Sequence, residues 1–131
     1  MDRIISVSSV AFDGYPLETA LDELAGLGVR YVEPSSVDKV FQHLVEEDFC
    51  DRRAAWLKEQ MASRGLACFS LSAHMDLSQR DSADRFRRRL EFARLIGARI
   101  VNTIAGPTEG LTGFQDNISA IGKRSAELGL T

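Results

Sequence analysis

The stretch that decides the fold runs from Gly65 to Asp76 and reads Gly-Leu-Ala-Cys-Phe-Ser-Leu-Ser-Ala-His-Met-Asp. Its first residue can end a helix in the left-handed conformation, and the uncharged run that follows is typical of a strand buried on both faces. Polar side chains then lie toward the far end of this strand, at Ser70, Ser72, His74 and Asp76. Ligands bind at the carboxyl ends of the strands in parallel α/β folds, so this stretch predicts where the chemistry lies.

The same passage from a helix through one glycine into an apolar residue occurs four times in the chain. The four passages are Leu27-Gly28-Val29, Arg64-Gly65-Leu66, Ile96-Gly97-Ala98 and Leu128-Gly129-Leu130. Alternating helices and strands at this spacing predict a parallel sheet with right-handed crossovers. The last passage leads into Thr131, where a fifth strand would begin. We therefore expect an α/β fold made of four βα units, (βα)4, truncated at the start of strand five.

Length and composition are those of one soluble globular domain, or part of one, over residues 1–131. The net charge of -3 and the pI near 5.4 give no long-range attraction for a polyanion, so no nucleic-acid partner is expected. Cys50 and Cys68 lack the spacing of a metal site and are predicted to be reduced thiols. No signal peptide or membrane-spanning apolar segment is present, which predicts a cytoplasmic protein without a membrane partner.

Three segments between the repeats carry further expectations. The segment from Ser35 to Cys50 is predicted to be a loop with a short helix around residues 37–45, and its His43 is predicted to be a surface residue. The arginine-rich run over residues 85–89 is predicted to be a solvated helix face rather than a phosphate site. The loop from Ala105 to Phe114 holds three glycines, and we expect it to be a mobile cover over the site.

Four segments together resemble the first half of the sugar phosphate isomerase/epimerase family: Ser6 to Val10, Leu-Gly-Val-Arg-Tyr-Val-Glu-Pro, Leu-Ser-Ala-His-Met-Asp-Leu and Ile-Gly-Ala-Arg-Ile-Val-Asn. The resemblance covers essentially the whole chain. It implies the N-terminal half of a xylose isomerase-like TIM barrel, a fold shared with the apurinic endonuclease branch. It also implies proton transfer next to the carbonyl of a sugar or sugar phosphate, assisted in the complete barrel by divalent Mn, Mg, Co or Zn.

In that family the metal ligands come from strands five to eight, so the resemblance assigns no catalytic residue to this chain. What it assigns is a substrate-binding lining at the strand ends: Glu33, His74 and Asn102, with Thr103 beside the last. His74 could also contact metal, since neutral histidine is a common ligand. Each has a structural alternative: Glu33 as a rim carboxylate paired to an arginine, His74 as a hydrogen-bonded loop anchor, and Asn102 as the polar end of a strand.

The leading interpretation is an isomerase or epimerase whose isolated 131-residue chain is inactive. Two alternatives remain open: an apurinic endonuclease-like metal hydrolase, which predicts stoichiometric zinc on this chain, and a non-catalytic α/β binding or assembly module. A half barrel would leave two strand edges and an apolar inner face uncovered, so we expect a homo-oligomer.

Overall fold

The computed structural model describes residues 3–131, apart from the side chain of residue 42. Within this part of the chain the strands are β1 (Ser6–Ser8), β2 (Tyr31–Glu33), β3 (Ser35–Val37), β4 (Phe41–Gln42), β5 (Ala67–Cys68), β6 (Ser70–His74) and β7 (Ile100–Asn102). The α-helices are α1 (Leu17–Gly26), α2 (Asp51–Ala62), α3 (Ser82–Ile96) and α4 (Leu111–Leu128). The alternation of strand and helix predicted from the repeated glycine passage is confirmed.

The strands form two hydrogen-bonded groups, in the orders β1-β2-β5 and β4-β3-β6-β7. Pro34 separates β2 from β3 and Phe69 separates β5 from β6, so each pair is one long strand with an interruption. Taken this way, the four long strands follow chain order and pair in parallel, which confirms the predicted (βα)4 arrangement. Among the strands of residues 3–131, only the short β4 runs antiparallel to its neighbour.

Thr131 lies beside β7 as the next parallel neighbour. Its backbone N–H donates to the Arg99 carbonyl at 2.9 Å, and its carbonyl accepts from the Val101 N–H at 2.8 Å. The turn into this position follows Gly129, which has φ +69° and ends α4 in the left-handed region. Glycine adopts that conformation without the steric cost that a Cβ imposes. The fourth passage therefore delivers the chain to the sheet as the first three do.

The hydrophobic core lies between the sheet and the helices. Val32, Leu71 and Ala73 are fully buried there, against core residues of α1, α2 and α3. Because side chains alternate along a strand, the residues between them face the other side, the inner face of the barrel. These inner residues include Tyr31, Glu33, Ser35, Ser70, Ser72 and His74. The predicted apolar inner face is wrong: the alternate positions carry serines and other polar groups.

The segment after β2 also differs from the sequence prediction. Residues 35–42 form a β-hairpin rather than a helix, because β3 continues the second long strand and Val37 pairs with Phe41 on β4. A single 3-10 turn over Glu46–Asp48 follows before α2. Among residues 3–131, no helix combines the length and apolar character needed to cross a membrane.

Candidate functional site

Two of the three predicted site residues meet at the carboxyl ends of the strands. Glu33 ends β2 and Asn102 ends β7, and the Asn102 Nδ2 donates to the Glu33 Oε2 at 2.9 Å. The residues are 69 positions apart in sequence, and the third long strand lies between theirs. The Glu33 side chain therefore reaches across the inner face of β6. Both side chains are accessible to solvent, so the pair forms a polar bridge that a ligand can contact.

His74 lies on the same rim but further along the strand direction. Ser72 is level with Asn102 in the β6–β7 register, so His74 stands one inward-facing position beyond the bridge. Its carbonyl accepts from the Asp38 N–H at 2.9 Å, which joins it to the hairpin turn. The imidazole Nδ1 is buried and has no hydrogen-bond partner in the described part of the chain. The ring is half-buried, and this nitrogen is one of several buried polar atoms without a partner among the described residues.

The wall below the bridge is built from small hydroxyl side chains. The Ser8 Oγ and Ser35 Oγ lie 2.9 Å apart, and the Ser35 hydroxyl also lies 3.3 Å from the Glu33 carbonyl. On β6, Ser70 and Ser72 occupy the inward positions between the strands of Glu33 and Asn102. Small residues leave room above the sheet, and hydroxyls both donate and accept hydrogen bonds. Ser35, Ser70 and Ser72 are themselves buried, so the polar groups that a ligand can reach here are those of the Glu33–Asn102 bridge.

Asp76 follows β6, and its carboxylate accepts hydrogen bonds from the residues of the turn that comes directly after it. Its Oδ1 accepts from the Ser78 hydroxyl at 2.6 Å and from the Ser78 N–H at 2.9 Å, while Oδ2 accepts from the Gln79 amide at 2.7 Å. The Ser78 hydroxyl, then the Ser78 N–H and the Gln79 amide, lower the pKa of this carboxyl below its usual value. Asp76 is therefore an ionised turn residue with most of its acceptor capacity used.

The glycine-rich loop after β7 docks on that turn. A Cβ added to Gly106 would collide with the Asp76 carboxylate, and one added to Gly110 or Gly113 would collide with Ser78. The Leu77 N–H also donates to the Ala105 carbonyl at 3.2 Å. Here glycine allows the loop to approach the Asp76 and Ser78 side chains and the Ser78 backbone closely, a role distinct from flexibility. The mobility predicted for residues 105–114 stays a prediction, and this packing argues for a docked loop.

The described residues do not fit a metal ion by themselves. Within residues 3–131 there is no group of three or more His, Cys, Asp or Glu side chains arranged to hold one. Glu33 is engaged by Asn102, and the Thr103 hydroxyl turns to its own loop, 3.4 Å from the Ile104 carbonyl. What this rim offers is a set of hydrogen-bonding groups.

His43, which was predicted to be a surface residue, is half-buried in the structure. Its Nε2 donates to the Tyr15 carbonyl at 2.8 Å, and its ring packs edge-on against Phe41 with centroids 4.6 Å apart. The imidazole thereby ties the loop after β1 to the hairpin after β2. The position of His43 two residues after Phe41 could have indicated this packing, but no feature of the sequence identifies the Tyr15 carbonyl as its partner.

The arginine-rich run is also different from the solvated face that was predicted. Arg85, Arg88 and Arg89 all donate to Glu46, with shortest distances of 3.0, 2.6 and 2.6 Å. Arg89 is fully buried, and its guanidinium lies 4.4 Å from the centre of the Phe49 ring. Burial of Glu46 opposes its ionisation, but the hydrogen bonds from the three arginines outweigh that effect and lower the pKa of this carboxyl to about 2. The cluster joins α3 to the segment before α2.

A groove of about 540 Å³ opens at the amino ends of β1 and β2, lined among others by Ile5, Gly28 and Tyr31. It lies at the opposite end of the strands from Glu33, where barrel residues serve stability rather than chemistry. The polar rim itself is an open surface. We nevertheless place the candidate site at the rim and not in the groove, because the polar side chains of the rim can bind a ligand specifically.

Comparison with known proteins bears on the fold. No protein-family model matches the sequence, and no curated protein matches it. Among solved structures, an AP endonuclease of family 2 from Brucella melitensis superposes with a TM-score of 0.71 at 17% identity, over 98% of this chain and 54% of that one. A xylose isomerase domain protein from Alicyclobacillus acidocaldarius gives 0.68 at 18% identity, over 95% and 47%.

A sugar phosphate isomerase/epimerase from Parabacteroides distasonis gives a TM-score of 0.60 at 11% identity, over 96% of this chain and 48% of that one. The chain thus spans about half the length of each of these barrels. At such low identity the likeness concerns the fold. The chain has the parallel α/β fold of part of a xylose isomerase-like TIM barrel, consistent with its N-terminal half.

Proposed function

We propose that this chain supplies one wall of a sugar-binding site in an isomerase or epimerase of the xylose isomerase-like class. The observation that carries the proposal is the hydrogen bond between Asn102 and Glu33 at the rim of the parallel sheet. The two residues were predicted independently from strand ends, and a carboxylate–amide bridge is a pair that recognises adjacent hydroxyl groups.

In this proposal the chain's own groups bind and orient the substrate. A Glu33 oxygen accepts a hydrogen bond from one ligand hydroxyl, and the Asn102 amide, with one N–H on Glu33, has a second N–H and a carbonyl oxygen to offer. The His74 Nδ1 is the remaining unused group above them. A divalent metal in the complete barrel would polarise the substrate carbonyl. Because residues 3–131 present no ligand set for that metal, no role in proton transfer is assigned to them.

Binding can be tested on the purified chain with a panel of aldoses and ketoses, followed by ¹⁵N NMR. We expect weak binding, in the millimolar range, with shifts concentrated at the Asn102 side-chain amide and the backbone of residues 33–35 and 72–75. Glu33→Gln and Asn102→Ala should each weaken binding about threefold or more, the usual contribution of one net hydrogen bond. Gln115→Ala, an exposed change on α4, is the matched control.

Two results would refute the proposal. One is the absence of any shift at the rim with every sugar tested. The other is binding that survives both rim substitutions. Neither result depends on catalysis, which we do not expect from this chain alone.

The endonuclease alternative has less support. It requires metal-ligating side chains on the early strands, and His74 belongs to no metal-binding group among the described residues. The match to an AP endonuclease shows a shared fold only. A zinc assay separates the two proposals, because only the endonuclease predicts one tightly held zinc ion per chain.

The homo-oligomer stays a proposal with a narrower basis than the sequence suggested. The inner face is polar, so the features that remain to drive association are the two strand edges, at β1 and beyond β7, and exposed apolar side chains such as Ile4 and Ile5, 44% and 72% accessible. Light scattering at micromolar concentration would show a dimer if these suffice and a monomer if they do not. A cytoplasmic location likewise stays a prediction.

A further inference from the structure

One arginine of the cluster around Glu46 also has a partner on the hairpin between β3 and β4. The Arg85 guanidinium donates to the Glu46 carboxylate at 3.0 Å, and it lies 3.4 Å from the Asp38 carboxylate. The Arg85 and Asp38 side chains are only 24% and 26% exposed, and partly buried charges are screened less than charges at a surface. Arg85 therefore links α3 to the hairpin through one guanidinium shared between two carboxylates.

The other side of this guanidinium is itself held in place. The Arg85 Nε and Nη2 both donate to one Glu46 oxygen, at 3.3 and 3.0 Å, and the buried Arg89 donates to the same oxygen at 2.6 Å. Arg85 cannot follow a displacement of Asp38 without losing its contact with Glu46. Its side chain is thus an anchor for the hairpin turn.

The conformation of the turn requires an anchor. The Val40 N–H donates to the Val37 carbonyl at 3.0 Å, which places Asp38 and Lys39 at the two central positions of a β-turn. Lys39 has φ +63°. A residue with a Cβ pays free energy for this conformation and keeps it only when its surroundings impose it. The contact between Asp38 and Arg85 belongs to those surroundings.

The turn is also bonded to the end of β6. The Asp38 N–H donates to the His74 carbonyl at 2.9 Å, which extends the parallel β3–β6 pairing by one hydrogen bond beyond Val37. The β6–β7 pairing ends at Ser72, two residues before His74. Among the strand pairings of residues 3–131, the backbone of His74 is therefore held from the hairpin side.

We propose that Arg85 is a positioning residue of the candidate site. Arg85 holds the turn through Asp38, and the turn holds the backbone of His74. Together these contacts set where the imidazole lies relative to the Glu33–Asn102 bridge. This role rests on the proposed function, in which His74 belongs to the sugar-binding wall, and it requires no contact between Arg85 and a ligand.

The experiment removes the link from either end, with Arg85→Gln and Asp38→Asn, and reads the result by NMR on the purified chain. Hydrogen exchange of the backbone N–H at position 38, relative to its intrinsic rate, should become roughly 2–5 times faster in each variant, in line with the loss of one partly exposed ion pair. The signals of the His74 ring should shift in both variants, which a change in global stability alone would not cause.

Arg88→Gln is the matched control. Arg88 donates to Glu46 at 2.6 Å from the same helix, so this variant removes an ion pair from the cluster and keeps the one between Arg85 and Asp38. It should leave the N–H at position 38 and the His74 ring signals unchanged. The double variant Arg85→Gln/Asp38→Asn should exchange no faster at position 38 than the single variants, because both substitutions break one contact.

Three results would overturn the proposal. One is unchanged exchange at position 38 and unchanged His74 ring signals in Arg85→Gln. Another is an equal effect in Arg88→Gln. The third is full additivity of Arg85→Gln and Asp38→Asn, which would mean that the two residues act separately.

Titration with the panel of aldoses and ketoses separates this proposal from the one on which it rests. Where a sugar binds the wild type, Arg85→Gln and Asp38→Asn should weaken its binding roughly twofold or more, as expected when one hydrogen-bonding group is misplaced, and Arg88→Gln should not. Equal affinity in all these proteins would refute the positioning role. If no sugar binds the wild type, the proposed function fails, and the exchange and ring signals of the free chain alone decide whether Arg85 positions His74.

Discussion

Two glutamates of this chain occupy opposite kinds of surroundings. Glu46 accepts hydrogen bonds from three arginines, one of them fully buried, and joins α3 to the segment before α2. Glu33 accepts one hydrogen bond, from the neutral amide of Asn102, at an open rim. A carboxylate has about four acceptor positions. The acceptor positions of Glu46 are filled by arginines that hold the fold together. Glu33 has most of its acceptor positions free to bind a ligand.

In this chain, function is to be sought where polar side chains have few partners within the protein. The conspicuous cluster of charge is a structural feature, because every member has a partner within the protein. The modest pair at the rim is the functional candidate, because its partners are few and its neighbour His74 has a buried nitrogen with none among the described residues. Substitutions at the two sites should therefore affect different properties.

The largest effect is expected from Glu46→Gln. The change removes the negative charge that three arginines share and leaves the buried Arg89 guanidinium without a counterion. Breaking one side of a buried ion pair costs about 3–5 kcal/mol, and partial exposure of Glu46 places our expectation at about 2–4 kcal/mol of unfolding free energy. Urea denaturation measures it.

Glu33→Gln is the contrasting variant and should change stability by less than about 1 kcal/mol, since it alters one hydrogen bond to a neutral donor. Glu47→Gln, next to Glu46 but exposed, is the control for the loss of a charge. Equal destabilisation by Glu33→Gln and Glu46→Gln would remove the distinction between the two sites.

Two glycines of α4 sharpen the comparison of docked and free surfaces within one helix. A Cβ at Gly113 would overlap the Ser78 backbone carbonyl, whereas a Cβ at Gly122 meets nothing within 4 Å. Gly113→Ala should destabilise by about 1–3 kcal/mol, because backbone must move to accommodate it. Gly122→Ala should stabilise by about 0.5–1 kcal/mol through helix propensity. Thermal unfolding of both variants tests this, and a stabilising Gly113→Ala would show that the loop does not dock.

Acid should remove the contribution of Glu46 selectively. The pKa of this carboxyl is about 2 in the folded chain against an ordinary 4.5, so its stabilisation is fully present above about pH 4.5 and is lost as the pH falls toward 2. Allowing for solvent screening, the amount is on the order of 1–2 kcal/mol. The stability difference between the wild type and Glu46→Gln, measured in urea at pH 7, 5 and 3, should shrink over the last step. A difference that is constant down to pH 3 would contradict the assignment.

The sequence predicted those features that depend on local order. Glycines at residues 28, 65, 97 and 129 mark the entries to the strands, and Glu33 and Asn102 could be placed at a shared rim because parallel strands end together. The alternation of Ser70, Leu71, Ser72 and Ala73 also indicates that one face of this strand is polar. The strand was nevertheless predicted to be buried on both faces, because its apolar residues were given more weight.

The features that were missed depend on partners distant in sequence or on a turn that breaks a local rule. Glu46 is 39 to 43 residues from the arginines that hold it, and nothing in the arginine-rich run identifies that partner. The hairpin was missed because its turn uses Lys39 at a position where glycine would have signalled it. The mobility predicted from the three glycines of the loop after β7 stays a prediction, but nothing in the sequence indicated that these glycines lie against Asp76 and Ser78.

The smallest effect that we predict concerns Asn117, whose side-chain amide donates to the Leu77 carbonyl at 2.9 Å and to the Gln79 carbonyl at 2.8 Å. These bonds hold α4 to the turn on which the glycine-rich loop rests. Asn117→Ala removes both, and alanine's better helix propensity offsets part of the loss, so we expect about 0.5–1 kcal/mol of destabilisation.

The informative measurement for this variant is hydrogen exchange, because the effect should be local. The Leu77 N–H is bonded to the Ala105 carbonyl, so its exchange should accelerate in Asn117→Ala more than the global loss of stability requires. Ser119→Ala, whose hydroxyl contacts only the Gln115 carbonyl of its own helix, should leave it unchanged. Unaltered exchange at Leu77 in Asn117→Ala would mean that the glycine contacts alone hold the loop. The loop and the rim would then be coupled through backbone packing and not through the Asn117 side chain.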